Sequence, residues 1–183
     1  MTNKIIKIVI VGPESTGKST LSENLANHFK TEWVREYARE YLDKNGTDYT
    51  FENLYDIAQG QLAGEDATFK KLQEKNDIEN TLPLIIDTDM YVIKVWSEFV
   101  FNKCDNRVLT EITTRDYDAY ILCNTDVPWV QDSMREYPDL VTREKLFTYY
   151  KEELSEQKLP WIIIKGNYEE RTQQAIDFVK TFL

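Results

Sequence analysis

Cysteine and histidine are nearly missing from this chain, which has two of the first and one of the second in 183 residues. Cys104 and Cys123 have no metal-ligand spacing, and so few thiols read as buried core residues in a reducing compartment. His28 falls on a polar stretch and reads as solvated. Basic side chains are also in deficit, 22 against 32 acidic, giving a formal net charge of -10. That field repels nucleic-acid backbones and anionic membranes, so neither is expected as a partner. Long apolar runs are absent too, with nothing near the ~18 residues of a membrane span. Ile5 to Val11 has the look of a signal-peptide core, but Lys7 interrupts it and no small-residue cleavage site follows. The expectation is a cytoplasmic protein. Repeats and low-complexity tracts are missing as well.

What is present is ordinary globular material, 42% hydrophobic and 30% charged, in a length suited to one domain over residues 1–183. Short β-branched runs alternate with segments of helical period, the pattern of an α/β fold with a parallel sheet. The predicted strands are Ile5 to Val11, Glu32 to Glu36, Leu84 to Asp87, Ala119 to Asn124 and Trp161 to Lys165. Ile8 to Val11 and Trp161 to Ile164 are continuously apolar and read as central strands. Leu21, Leu25 and Phe29 predict a first helix, and Phe51, Leu54, Tyr55, Ala58 and Leu62 a second. Val92, Val95, Trp96 and Phe99 predict a third, and Phe147, Tyr150 and Leu154 a later one. Asn167 with Glu170 is a capping pair for a last helix with Thr172, Ala175, Ile176, Val179 and Leu183 on its inner face. Asp43 to Thr50 and Glu74 to Thr81 read as polar loops.

Gly12-Pro13-Glu14-Ser15-Thr16-Gly17-Lys18-Ser19 fits GxxxxGK[S/T] at every fixed position. Chance produces that pattern in well under about one in a hundred chains of this length. It follows a strand and opens a helix, so backbone N–H groups and the positive end of the helix dipole converge on one anion. The expected phosphate site runs from Gly12 through Thr20. Lys18 reaches the β and γ oxygens of a nucleoside triphosphate, and the Ser19 hydroxyl is positioned for Mg²⁺. ATP and Mg²⁺ are therefore the expected cofactors. The loop alone leaves open whether phosphate goes to water or to a small molecule.

A carboxylate at the end of an apolar strand completes such a site, and Asp87 in Leu84-Ile85-Ile86-Asp87-Thr88-Asp89 is that candidate for metal and substrate. Asp89 is either on the same edge or the N-cap of the next helix. Glu36, at the end of the second strand, is a candidate general base, with Asp87 as the other candidate for that role; alternatively the Arg and Glu residues around Glu36 form solvated helical pairs. After the fourth strand a lid over about 126–143 brings Arg135 and Arg143 as candidates to stabilise a transferring phosphoryl group, unless they pair with surface acids. Trp33, Tyr91, Trp96 and Trp129 are candidate faces for a substrate ring, with core packing as the competing role for the first three.

Together, the glycine loop, Val34 to Arg39, Asp87-Thr88-Asp89, Pro128 to Arg135 and Gly166 to Arg171 resemble the ribosylnicotinamide kinase domain of the NadR family, in the expected order along nearly the whole chain. The resemblance implies a three-layer P-loop NTPase fold, α/β, with a five-stranded parallel sheet of order 2-3-1-4-5, helices on both faces and a lid segment around Trp129 to Arg135. It also implies ATP-dependent phosphorylation of nicotinamide riboside to the mononucleotide, a step of NAD salvage. Many relatives fuse this kinase to an adenylyltransferase with an HxGH-type signature; with His28 as the one histidine, a free-standing kinase is expected. The high aromatic content, 13%, fits a cationic ring as substrate. Two other classes stay open: a regulatory GTPase or ATPase switch, for which Asn124-Thr125-Asp126 does not supply the guanine-specific NKxD, and a nucleotide-sensing module without turnover. A homo-oligomer is also left open.

Overall fold

Alternate residues of a strand point to opposite faces, so a strand buried on both sides must be apolar throughout. The first strand, β1 (Ile5–Val11), satisfies this by sending Ile6, Ile8 and Ile10 to one core and Val9 and Val11 to another. The computed structural model describes residues 4–75, 81–131 and 135–183. Beyond β1 the order is α1 (Lys18–Phe29), β2 (Trp33–Val34), α2 (Tyr37–Asn45), α3 (Phe51–Lys75), β3 (Leu82–Asp87), α4 (Met90–Phe101), α5 (Asn106–Thr114), β4 (Ala119–Cys123), α6 (Leu140–Glu156), β5 (Trp161–Ile164) and α7 (Tyr168–Lys180). The sheet is parallel in the order β2-β3-β1-β4-β5, as the family resemblance implied.

One core lies between the sheet and α1 with α7, around Leu21, Leu25, Ala175 and Val179. The other lies beneath α3, α4 and α6, around Leu72, Val95, Leu146 and Leu154. A third cluster joins α2, α3, α4 and α5 outside that layer. The result is three layers, with the sheet between the two cores. Among the described residues no helix is long and apolar enough to cross a membrane.

Several expectations need correction. β5 is not central: it pairs with β4 at the end of the sheet, and Ile163 is 36% exposed. Its apolar run reflects cover from α7 and the other core on its faces, which an edge strand can also have. The second strand shrinks to Trp33–Val34 because α2 starts at Tyr37, and α2 also takes the first residues of the expected loop from Asp43. Helix α5, which sequence periodicity did not suggest, buries just Val108. Of the expected loop from Glu74 to Thr81, α3 takes Glu74 and Lys75, and residues 76–80 lie outside those described. The capping pair at α7 is present on both sides: Asn167 accepts from the Glu170 N–H and Glu170 from the Asn167 N–H.

Candidate active site

The glycine loop gets its shape from two residues that side chains would spoil. Gly12 has φ +140°, and a Cβ there would lie 2.8 Å from the Cys123 carbonyl oxygen on neighbouring β4. Gly17, at φ +81°, is the N-cap of α1 and packs against the Tyr168 ring. Between them Ser15 also adopts a left-handed conformation, φ 56°, at a cost of about 1–2 kcal/mol. Thr16 closes the turn by donating to the Pro13 carbonyl at 2.7 Å. Lys18 is buried, with Nζ 3.0 Å from the carbonyls of both Gly12 and Pro13. The ammonium is thus stationed inside the loop, where an anion held by the loop amides would meet it.

Arg171 secures the loop from behind. Its guanidinium donates to the carbonyls of Thr16, Asn124 and Gly166 and to the Asp126 carboxylate, tying α7 to the loop and to the ends of β4 and β5. In the sequence Arg171 closes a family-like stretch that suggests no role for it; in the structure it is a backbone clamp.

Three carboxylates are buried beside the sheet, Glu65 toward the strand starts and Asp87 and Asp89 at the carboxyl end of β3, and their partners separate them. Glu65 meets Lys7 at 2.8 Å, Arg115 at 3.3 Å and the Tyr117 hydroxyl at 2.9 Å. Asp89 accepts from the Tyr91 N–H at 3.0 Å and the Tyr120 hydroxyl at 2.9 Å, so it caps α4. Both of its oxygens are used, which supports the capping alternative over a substrate role. Asp87 is fully buried, and neither of its carboxylate oxygens has a hydrogen-bond partner among the described residues. Burial pushes its pKa up to about 7, the Glu36 charge adds to this, and Lys18, the Ser19 hydroxyl and Arg39 act in the other direction. Ser19 is therefore near enough to be felt but outside bonding geometry. An unpartnered buried carboxylate beside a hydroxyl suits a divalent cation, which Mg²⁺-type sites hold with few protein ligands and several phosphate and water oxygens. Among the described residues no cluster of three or more His, Cys, Asp or Glu side chains forms an all-protein metal site.

A cavity of about 410 Å³ opens from the glycine loop, a volume typical of small-molecule sites. All of Gly12 through Thr20 line it, with Glu36 and Arg39 at the start of α2, Trp96 and Phe99 on α4, and Tyr150 on α6. Glu36 pairs with Arg39 at 3.5 Å, an i,i+3 contact, and makes no capping bond although it occupies the N-cap of α2. Of the predicted aromatic faces, Trp96 lines this cavity. Trp33, Tyr91 and Trp129 do not. Trp33 stacks under the Arg35 guanidinium on β2, Tyr91 packs edge-on to Tyr120, and Trp129 sits between the guanidiniums of Arg135 and Arg143 at 5.8 and 5.6 Å.

The segment after β4 covers the loop. The Val130 N–H donates to the Ser15 hydroxyl at 3.1 Å, and the N–H groups of Glu136 and Tyr137 both donate to the Glu14 carboxylate. Burial raises the Glu14 pKa, while those two amides and the Lys18 charge lower it. Arg135 lines the cavity and donates to the Val130 carbonyl, and its buried Nε has no partner among the described residues. Arg143 is buried away from the cavity and donates to the carbonyls of Thr125 and Val127, so it anchors the base of the lid. Asp132, Ser133 and Met134 of the expected lid lie outside the described residues, and Leu140 to Arg143 belong to α6. Tyr49 links the lid to the cavity wall: its hydroxyl donates to Glu136 at 2.9 Å and accepts from Trp96 Nε1 at 2.8 Å.

Comparison with known proteins follows the same lines. The trifunctional NAD biosynthesis/regulator protein NadR of Salmonella typhimurium is 28% identical over 184 residues, a match covering 96% of this chain and 42% of that protein. This chain thus spans less than half the length of that relative. Among solved structures, NadR in complex with NR superposes with a TM-score of 0.76 at 22% identity, over 97% of this chain and 48% of that one. Thymidylate kinase from Ehrlichia chaffeensis gives 0.69 at 11% identity, over 96% and 99%. These likenesses establish the nucleotide-kinase-type P-loop fold. The family model described as AAA domain matches residues 7–171, and the chain belongs to that family.

Proposed function

We propose that this chain is an ATP-dependent kinase that transfers the γ-phosphate to the 5′-hydroxyl of a nucleoside, with nicotinamide riboside as acceptor and nicotinamide mononucleotide as product. The observation that carries this reading is the cavity of about 410 Å³ that continues from the phosphate loop into an aromatic chamber under a lid bonded to Glu14 and Ser15. A site that uses water as acceptor has no need of such a chamber, and covering the loop keeps water from competing. The likeness to NadR across 96% of the chain, and to a NadR structure that holds NR, supports the choice of acceptor. So does the chemistry of the chamber, where Trp96, Phe99 and Tyr150 with Glu36 suit a cationic ring. The reading places the protein in the cytoplasm, beside its ATP.

In this reading the loop amides and Lys18 hold the β- and γ-phosphates. Mg²⁺ would be held by Ser19 and Asp87 and, when bound, neutralises charge on the phosphates. Glu36 faces the cavity and takes the proton from the attacking hydroxyl as the new O–P bond forms and the bond to the β-phosphate oxygen breaks, releasing ADP. Arg135 neutralises charge that develops on the transferring group. Asp87, which does not line the cavity, is left to the metal.

Incubation with MgATP and a nucleoside panel that includes nicotinamide riboside, with products identified by mass spectrometry, tests this. Nicotinamide mononucleotide should accumulate with the wild type and not with Lys18→Ala. Phosphorylation of a different nucleoside alone would replace the acceptor, and hydrolysis to ADP and phosphate whatever the acceptor would remove the kinase.

A further inference from the structure

Glu36 presents a puzzle of local chemistry. A helix N-terminus leaves backbone N–H groups without intrahelical partners, and a side chain at the N-cap can turn toward them. Here Glu36 makes no such bond. The Tyr37 N–H is satisfied instead from another helix, by Oε1 of Gln61 on α3 at 2.8 Å. The Glu36 carboxylate lines the cavity, paired with Arg39 at 3.5 Å.

The other end of the same side chain holds the second carboxylate. Gln61 Nε2 donates to the Asp87 carbonyl at 3.2 Å and the Thr88 carbonyl at 3.0 Å. Thr88 has φ 71°, a left-handed conformation that a threonine adopts only under constraint. Gln61 therefore bonds the carbonyls on both sides of the strained turn that follows Asp87. It is 2% exposed, and every polar atom of its amide is used in this way. The adjacent Gly60 brings α3 to the same point: a Cβ there would lie 2.0 Å from Tyr37 Cε1, so the Tyr37 ring rests where any other residue would collide with it.

We propose that Gln61 is a positioning residue: it brackets the start of α2 to the end of β3 and so fixes Glu36 relative to Asp87. The assignment rests on the kinase reading for its catalytic consequence, and on geometry alone for the bracket. Misplacing a reacting group by about 1 Å costs on the order of a hundredfold in rate. A side chain that ties the two backbones together with three hydrogen bonds should thus act on turnover more than on ATP binding.

Two variants separate this from mere support of the fold. Gln61→Met keeps length and volume without polar atoms. Gln61→Glu keeps an acceptor for the Tyr37 N–H and loses both donor bonds to the Asp87 and Thr88 carbonyls. Each is measured as turnover per nucleotide-binding molecule, counted by titration with an ATP analogue, and by hydrogen exchange at the Tyr37 amide. Gln61→Met should lose at least roughly tenfold in kcat per competent molecule with ATP KM within about twofold, and its Tyr37 amide should exchange at least about tenfold faster. Gln61→Glu should keep Tyr37 protected and still lose turnover, because the β3 half of the bracket is gone. If activity falls only in proportion to the nucleotide-binding fraction, Gln61 is structural and the proposal is overturned. Unchanged Tyr37 exchange in Gln61→Met overturns it equally. A wild type that phosphorylates no nucleoside would sink the kinase reading instead, leaving the exchange result to decide the bracket.

Discussion

Asp87 concentrates the electrostatic tension of the molecule, since it is fully buried and both its oxygens lack partners among the described residues, whereas Glu65 and Asp89 are satisfied. Its sign of pH dependence follows directly. Unfolded, an aspartate loses its proton near its ordinary value of 3.8, but burial makes folded Asp87 keep it to about 7. The folded state therefore binds more protons between those values, and the stability this confers is complete below the lower one and lost as pH rises to the upper. Asp87→Asn removes that penalty. At pH 8, without nucleotide, it should raise stability by about 1–3 kcal/mol, or about 2–4 °C of Tm per kcal/mol for a chain of this size. The difference should narrow as pH falls through 7 and close near 4, while phosphoryl transfer is lost at every pH. Thermal melting across pH 4–8 checks it; a variant less stable than wild type at pH 8 would mean that Asp87 is paired after all. Sequence reading could find Asp87, because an acid ending an apolar strand stands out. It could not decide that Asp89 was different, since that depended on Tyr120, 31 residues away in sequence.

Elements were legible where burial wrote a period into them. Strands β1, β3 and β4 read as apolar runs because both faces are covered, and α7 announced itself with Asn167 and Glu170. Helices α2 and α5 left little trace, burying two residues and one respectively, so tertiary position rather than local pattern decides them. Gln61 did leave a signal: it falls on the buried side of α3 between Ala58 and Glu65, a polar residue where the stripe should be apolar. At this scale the lid is the element with most to test. It is joined to the loop through Glu14 and Ser15 and to the acceptor wall through the Glu136–Tyr49–Trp96 chain. Tyr49→Phe deletes the shared hydroxyl, which leaves Glu136 and Trp96 Nε1 without that partner, a loss of about 1 kcal/mol. Lid-open molecules should then rise about fivefold. The expected result is a higher acceptor KM and a larger share of ATP lost to water, read as ADP formed per nucleoside phosphorylated. If that ratio stays at the wild-type value, the chain from Trp96 to Glu136 does not govern closure.

For the molecule as a whole, the site is a meeting of distant segments. The glycine loop was visible because its residues are contiguous; Leu42, Phe99 and Tyr150 share the cavity from three different helices, and nothing near each in the sequence marks it. Such a site couples ligand binding to the entire fold, because the unfolded chain has no cavity to offer. It also sits in a chain of net charge -10, where adding a nucleotide without a cation brings more negative charge to a cleft lined by Glu36, with Asp87 buried close enough to feel the Glu36 and Lys18 charges. The two effects oppose each other, and Mg²⁺ decides between them. With Mg²⁺, a non-hydrolysable ATP analogue at about a hundred times its Kd should stabilise the native state by about 2.7 kcal/mol. That corresponds to a rise in Tm of roughly 5–10 °C. With the metal chelated, the same analogue concentration should give less than about half of that rise, since no cation then offsets the Asp87 and Glu36 charges near the phosphates. Asp87→Asn separates the terms further. It should narrow the gap between the two conditions, because one of the two protein ligands proposed for the ion is gone and the repulsion with it. A wild-type shift independent of Mg²⁺, by differential scanning fluorimetry at matched ionic strength, would place the metal away from Ser19 and Asp87 and return Asp87 to the competition for general base.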